Sequence, residues 1–226
     1  YNIVFIFLGT AFSVFIAILL NECSRKWQKR YQTLILIPHL LSYVVVSYIA
    51  YAFLGAENGM INNQILRPLG LDPISFYTED KYWPFILVFV NIWKTFGYSS
   101  IIYFASIIGI DRTYYEAAEV DGASAWTQIW SITLPLLKPV LITMLLLSVG
   151  RILYSDFGLF YQVPMDSGML FNTTNTIDTF VYRGLLQTND LGRAAAANFI
   201  QSVMGFFLVL GANLIVRKVE KEYALF

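Results

Sequence analysis

Five long apolar runs, almost free of charge, limit the fold more than anything else in the sequence. They extend from about Ile3 to Leu20, Leu34 to Leu54, Pro84 to Ile110, Leu136 to Ser155 and Ala194 to Val216. Each approaches the roughly 20 residues that a helix needs to cross a hydrocarbon core. They are too long and too poorly alternating for strands, and a helix satisfies its own backbone groups in lipid. The chain is 57% hydrophobic and 13% charged. Soluble domains average about 45–50% and about 25%. The reading is therefore an all-α polytopic membrane protein, one domain over residues 1–226 with five transmembrane helices. Disorder is excluded by the same composition. Lys+Arg 15 balance Asp+Glu 15, which excludes a basic nucleic-acid binder. Cys23 is the sole cysteine, so it can form neither an internal disulfide nor a metal cluster, and it reads as a small apolar residue.

Loop charge gives the orientation. Arg25, Lys26, Lys29 and Arg30 follow the first span, and Arg217, Lys218 and Lys221 follow the fifth. In a five-span chain these segments share one side, which the positive-inside rule makes cytoplasmic. The long connections 55–83 and 157–193 then lie outside, with only Arg67, Lys81, Arg183 and Arg193. Segment 111–135 is cytoplasmic but acidic, with Asp111, Glu116, Glu119 and Asp121 against Arg112. That composition suits a task other than setting topology.

Local signals shape this segment. Thr113 with Glu116 has capping-box spacing, so a short helix is expected from Thr113. Asp121-Gly122 is a turn signal, and Gly122 can take positive φ. Ser124 can cap a second short helix to about Ile132, and Pro135 suits the first turn of the fourth span. The expectation is helix, tight turn, helix.

The segment DRTYYEAAEVDGASAWTQIWSITLP resembles the EAA signature of bacterial ABC importer permeases. The matching positions are Glu116-Ala117-Ala118, Gly122, Ile132 and Leu134-Pro135. EAAEVDGA with TLPLLKP downstream resembles the carbohydrate-uptake branch. IDTFVYRGLLQ, LVLGANLIVRK and the ending EYALF resemble permeases for polysaccharide or oligosaccharide import. The resemblance implies a subunit of an ATP-driven importer working by alternating access in the bacterial cytoplasmic membrane. It implies as partners a second, different permease, an ABC ATPase dimer, an extracellular binding protein and a sugar. ATP and Mg belong to the ATPase, and this chain binds no cofactor and performs no covalent chemistry. Glu116, Ala117, Ala118, Gly122, Ile132, Leu134 and Pro135 would couple to the ATPase. Such permeases carry one more N-terminal span, and this chain begins at Tyr1, so a longer native protein with a sixth helix is expected. Two alternatives stand: the same class with another cargo, such as peptide or phosphate, and an ion-coupled secondary carrier. No Walker GxxxxGK[ST], HExxH or CxxC pattern occurs in the chain.

Polar and aromatic residues at membrane depth are candidates for a sugar path: Tyr48, Tyr51, Asn91, Trp93, Lys94, Tyr98, Tyr154 and Asn198. Each also has a structural reading. Lys94 could snorkel or pair with an acid; Asn91, Asn198 and Gln201 could bond between helices; the aromatics could form interfacial belts. Arg151 and Asp156 are read as an ion pair at the outer end of the fourth span, and Pro38 as a kink one turn into the second.

Overall fold

The computed structural model describes residues 1–188, 191–219 and 221. The expected ending EYALF lies outside the described residues. Among these residues there are helices and turns but no strand. The α-helices are α1 (Asn2–Glu22), α2 (Arg25–Leu40), α3 (Tyr43–Leu54), α4 (Trp83–Ile108), α5 (Arg112–Val120), α6 (Ala125–Gln128), α7 (Leu134–Gly150), α8 (Phe171–Thr174), α9 (Ile177–Thr188) and α10 (Leu191–Val219). Four spans are long and apolar enough to cross a membrane, and the pair α2 and α3 makes a fifth if taken together.

That pair corrects the expected second span. The helix breaks at Leu41–Ser42, not one turn after Leu34. Pro38 lies inside α2. The Ser42 hydroxyl accepts the Val45 N–H at 3.3 Å and starts a new helix. A serine that caps offers the backbone an alternative to continuing the old helix, which sequence apolarity cannot reveal. The long connections carry short helices of their own. Residues 157–193 hold a π-helical turn (Gly158–Gln162), α8 and α9, and residues 55–83 hold another π-helical turn (Ile61–Leu66).

The chain forms two compact units: Tyr1–Asn2 with Leu40–Asn91 and Leu153–Val203, and Ile3–His39 with Ile92–Ile152 and Met204–Phe226. The first unit is organised by buried polar groups that are fully engaged. Asn62 is 0% exposed; its amide donates to the carbonyls of Gly55, Ala56 and Ile74, and its oxygen accepts the Ile74 N–H. Trp83, also 0% exposed, donates its indole N–H to Phe76 O at 2.7 Å. Partnered in this way, such groups avoid the cost of burying an unmatched donor, about 1–3 kcal/mol. Arg183 ties the connection 157–193 by an ion pair to Asp166 at 2.6 Å and by stacking over Phe171.

The second unit is organised by close backbone packing. Val14, Ala17 and Leu20 of α1 pack with Tyr103, Phe104 and Ile107 of α4 and Leu137 of α7. Gly97 of α4 lies against α2: a Cβ there would sit 1.8 Å from Ile35 O. Gly205 of α10 lies against α7, where a Cβ would sit 2.8 Å from Gly150 O. Small residues allow this approach where lipid gives helices no hydrophobic drive to associate.

A Gly97→Ala variant is expected to lose about 3 kcal/mol, the upper end of the usual cost of overpacking, because backbone must move. Gly211→Ala, with nothing within 4 Å of the added Cβ, serves as the control. Thermal unfolding in detergent checks both; equal midpoints would contradict the packing.

Candidate coupling segment and transport path

The acidic segment forms the expected helix, turn and helix, with one change at its start. The N-cap of α5 is Asp111, not Thr113: the Thr113 N–H donates to Asp111 Oδ1 at 3.0 Å. That hydrogen bond holds the Asp111 carboxyl below its ordinary pKa. Asp is as good an N-cap as Ser or Thr, and it lies two residues earlier than the capping-box reading. At the other end Gly122 has φ +75°. Its N–H donates to Glu119 O and the Ala123 N–H to Ala118 O, which is a Schellman turn. Nothing lies within 4 Å of a Cβ built on Gly122, so glycine is required there for its backbone and not for space.

Ser124 caps α6 as expected, accepting the Thr127 N–H. The second helix does not stop at Ile132. It passes through a π-helical turn (Ile129–Thr133) into α7, so one unbroken helical stretch runs from Ala125 to Gly150. Pro135 lies in the first turn of α7. Tyr115 of α5 reaches back to the π turn, its hydroxyl 2.9 Å from Thr133 Oγ1. Sequence reading overlooked both residues, because a tyrosine and a threonine at this separation carry no local signal.

Within the segment, Glu116 and Ala117 are exposed while Ala118, Ile132 and Leu134 are half-buried. Tyr114, Val120, Trp126 and Trp130 are also exposed. The segment thus presents an acidic, partly apolar surface.

The path candidates divide between the two units. In the second unit, Lys94 is 7% exposed. Its Nζ donates to Pro38 O at 3.3 Å and His39 O at 3.1 Å, carbonyls at the C-terminal end of α2. A cation there also complements the helix dipole. Tyr98 stacks on His39 with centroids 4.8 Å apart. Lys94, Gly97 and Tyr98 therefore make one face of α4 that holds the end of α2. Trp93 is half-buried.

In the first unit, Tyr154 lies 2.7 Å from the Ser202 hydroxyl, which donates to Asn198 O. Asn198 and Tyr48 are exposed, Asn91 is half-buried, and Tyr51 packs on Tyr77. Asp156 accepts from the Tyr43 hydroxyl at 2.6 Å and the Leu159 N–H at 3.3 Å, in place of the expected pairing with Arg151. Asp178, which the sequence reading passed over, accepts from the Ser155 N–H and hydroxyl at 2.7 and 2.6 Å and from Gln201.

The second unit also contains a cleft of about 160 Å³ that no sequence pattern signalled. Thr10, Ser13, Thr95, Ser99, Tyr103 and Ser148 line it with hydroxyls from α1, α4 and α7. Ser13 is 1% exposed, and its Oγ has no hydrogen-bond partner among the described residues. A buried hydroxyl left so costs about 1–3 kcal/mol, which a polar guest in the cleft would recover.

Two outcomes test the segment. The Asp111 cap is present above the unfolded carboxylate pKa and is lost as pH falls through the lower folded value. Amide exchange in α5 should therefore accelerate only in acid, and Asp111→Asn should flatten that dependence; a wild-type profile without an acid limb would contradict it. Gly122→Ala should cost about 1 kcal/mol and Gly122→Asn less, since only the left-handed backbone is strained. Thermal unfolding distinguishes that order from a steric effect, which would rank the larger Asn as worse.

Residues 5–221 match the family described as "Binding-protein-dependent transport system inner membrane component". The chain is 34% identical over 215 residues to the polygalacturonan/rhamnogalacturonan transport system permease protein YteP of Bacillus subtilis. It is 32% identical over 208 residues to protein LplB of the same organism. In each case 92% of this chain is matched, and it spans 64% of the relative. A solved structure titled as a bacterial alginate ABC transporter in complex with an alginate pentasaccharide-bound periplasmic protein contains a similar chain. The TM-score is 0.89 at 32% identity, covering 97% of this chain and 76% of that one. With four to five helices fit to cross a membrane, this multi-pass chain belongs to the family of binding-protein-dependent transport system inner membrane components.

Proposed function

We propose that the chain is a permease subunit of an ATP-driven importer for oligosaccharides or polysaccharide fragments. The observation that carries this reading is the geometry of residues 111–135: an exposed acidic helix joined by one tight turn, at Gly122, to a helix that continues unbroken into an apolar span. Such an element can pass a displacement from a soluble motor to the membrane. The motor is a separate ABC ATPase dimer, which binds ATP and Mg. Glu116 and Ala117 present the docking surface, and Gly122 sets the turn that orients α5 against α6. The basic start of α2 and the basic end of α10 face the cytoplasm by their charge, and the coupling segment shares that side by the number of spans between them. A second permease completes the path, and an extracellular binding protein delivers the sugar. The relatives named for polygalacturonan/rhamnogalacturonan transport and for alginate support this cargo class.

The hydroxyl-lined cleft supplies chemistry that suits a sugar, a molecule with hydroxyl donors and acceptors around its ring. Ser13, whose hydroxyl is unmatched, offers one such contact. ATP hydrolysis shifts the path between its states only because ATP-bound and free ATPase favour different ones.

Uptake by the full importer in proteoliposomes tests this. Accumulation of an acidic or neutral oligosaccharide should require ATP and binding protein, and a proton or sodium gradient alone should not drive it. Glu116→Lys should cut uptake at least about tenfold, the effect of losing a charged contact at an interface. Ser13→Ala should leave thermal stability unchanged or higher while lowering uptake. Gradient-driven accumulation without ATP, or full uptake by Glu116→Lys, would overturn the reading.

A further inference from the structure

The N-terminal half of α2 carries Arg25, Lys26, Lys29 and Arg30, all exposed, and no acid occurs between Cys23 and Leu40. Cations at spacings of four on one helix repel one another, so the fold gains nothing from this cluster by itself. α2 buries no residue completely, but it has a defined inner face. Gln28 donates to Leu20 O and Cys23 O at the end of α1, and Ile35 lies against Gly97. Residues turn by about 100° each in a helix, so Ile35 falls within about 20° of Gln28. On the same count Lys26 and Arg30 lie about 160° from Gln28, Leu34 about 120° and Ile37 about 180°. The outer face therefore begins with cations and, about 10 Å further along the axis, becomes aliphatic. Leu34 and Ile37 are 58% and 47% exposed. Trp27 and Tyr31, about 100° and 60° from Gln28 on the same count, lie on the flank of this face; their rings stack with centroids 6.0 Å apart, and Arg30 lies over the Trp27 ring at 4.9 Å.

Cations followed by exposed aliphatics along one face, with an aromatic pair on its flank, is the order of a bilayer leaflet from headgroup to acyl chain. An acidic groove on a protein would match the cations but not the aliphatic continuation. We infer that the outer face of α2 is a docking surface for anionic phospholipid headgroups of the cytoplasmic leaflet, held by Lys26 and Arg30 with Arg25 and Lys29 at its edge.

The test uses the complete importer in nanodiscs of phosphatidylcholine and phosphatidylglycerol in equal amounts. Lipid retained after transfer to detergent is measured by mass spectrometry. Wild type should retain phosphatidylglycerol over phosphatidylcholine by about tenfold, less at high salt. K26Q/R30Q should fall towards no preference, and R30K should keep it. Arg25 and Lys29 remain in K26Q/R30Q to hold the topology, and assembly of the complex on a sizing column confirms folding. Equal phosphatidylglycerol retention in K26Q/R30Q and wild type would overturn the inference. So would an absence of headgroup preference in wild type, or loss of complex assembly in K26Q/R30Q with lipid preference unchanged, which would make the face a protein contact.

Discussion

The unbroken passage from α6 through the π turn into α7 is the constraint on which the coupling account depends. A flexible loop at that point would absorb any movement of the acidic helix. Here the backbone is helical from Ala125 to Gly150, and the Tyr115–Thr133 contact ties α5 to the same stretch. The Schellman turn at Gly122 fixes the angle between the two short helices. A π turn adds a residue per hydrogen-bonded ring and is a common feature of functional sites. Force applied to Glu116 and Ala117 can therefore reach the start of the span through backbone and one side-chain contact.

The broken second span depends on the same kind of economy. Splitting a helix at membrane depth frees carbonyls that lipid cannot satisfy. Lys94 covers two of them, at Pro38 and His39, while Gly97 lets the backbone of α4 approach Ile35 and Tyr98 stacks on His39. A lysine that looked like a path residue thus has a clear structural duty. The single charge suits this, since the ammonium meets carbonyl dipoles.

How far the sequence could be read follows from the range of each interaction. Apolar runs and the EAA spacing are local, so the spans, the turn at Gly122 and the Ser124 cap were legible. The break at Ser42 was not, because apolarity continues across it and only a hydroxyl marks the new start. The Asp111 cap was missed because a capping-box pattern two residues later competed for the same helix end. Contacts between distant residues, such as Tyr115 with Thr133, Asp178 with Ser155 and the hydroxyl cleft, leave no trace in one sequence. Nor could one sequence separate Lys94 as a cap from Lys94 as a path residue.

The most direct measurement of the central claim is site-specific photocrosslinking from residue 117, with a benzoylphenylalanine in place of Ala117, in the assembled importer in its own membrane. The account predicts a crosslinked protein partner that hydrolyses ATP, and no such product from the same probe at Phe85 in α4, 78% exposed. Capture of lipid alone from residue 117, in a complex shown to be intact, would contradict it.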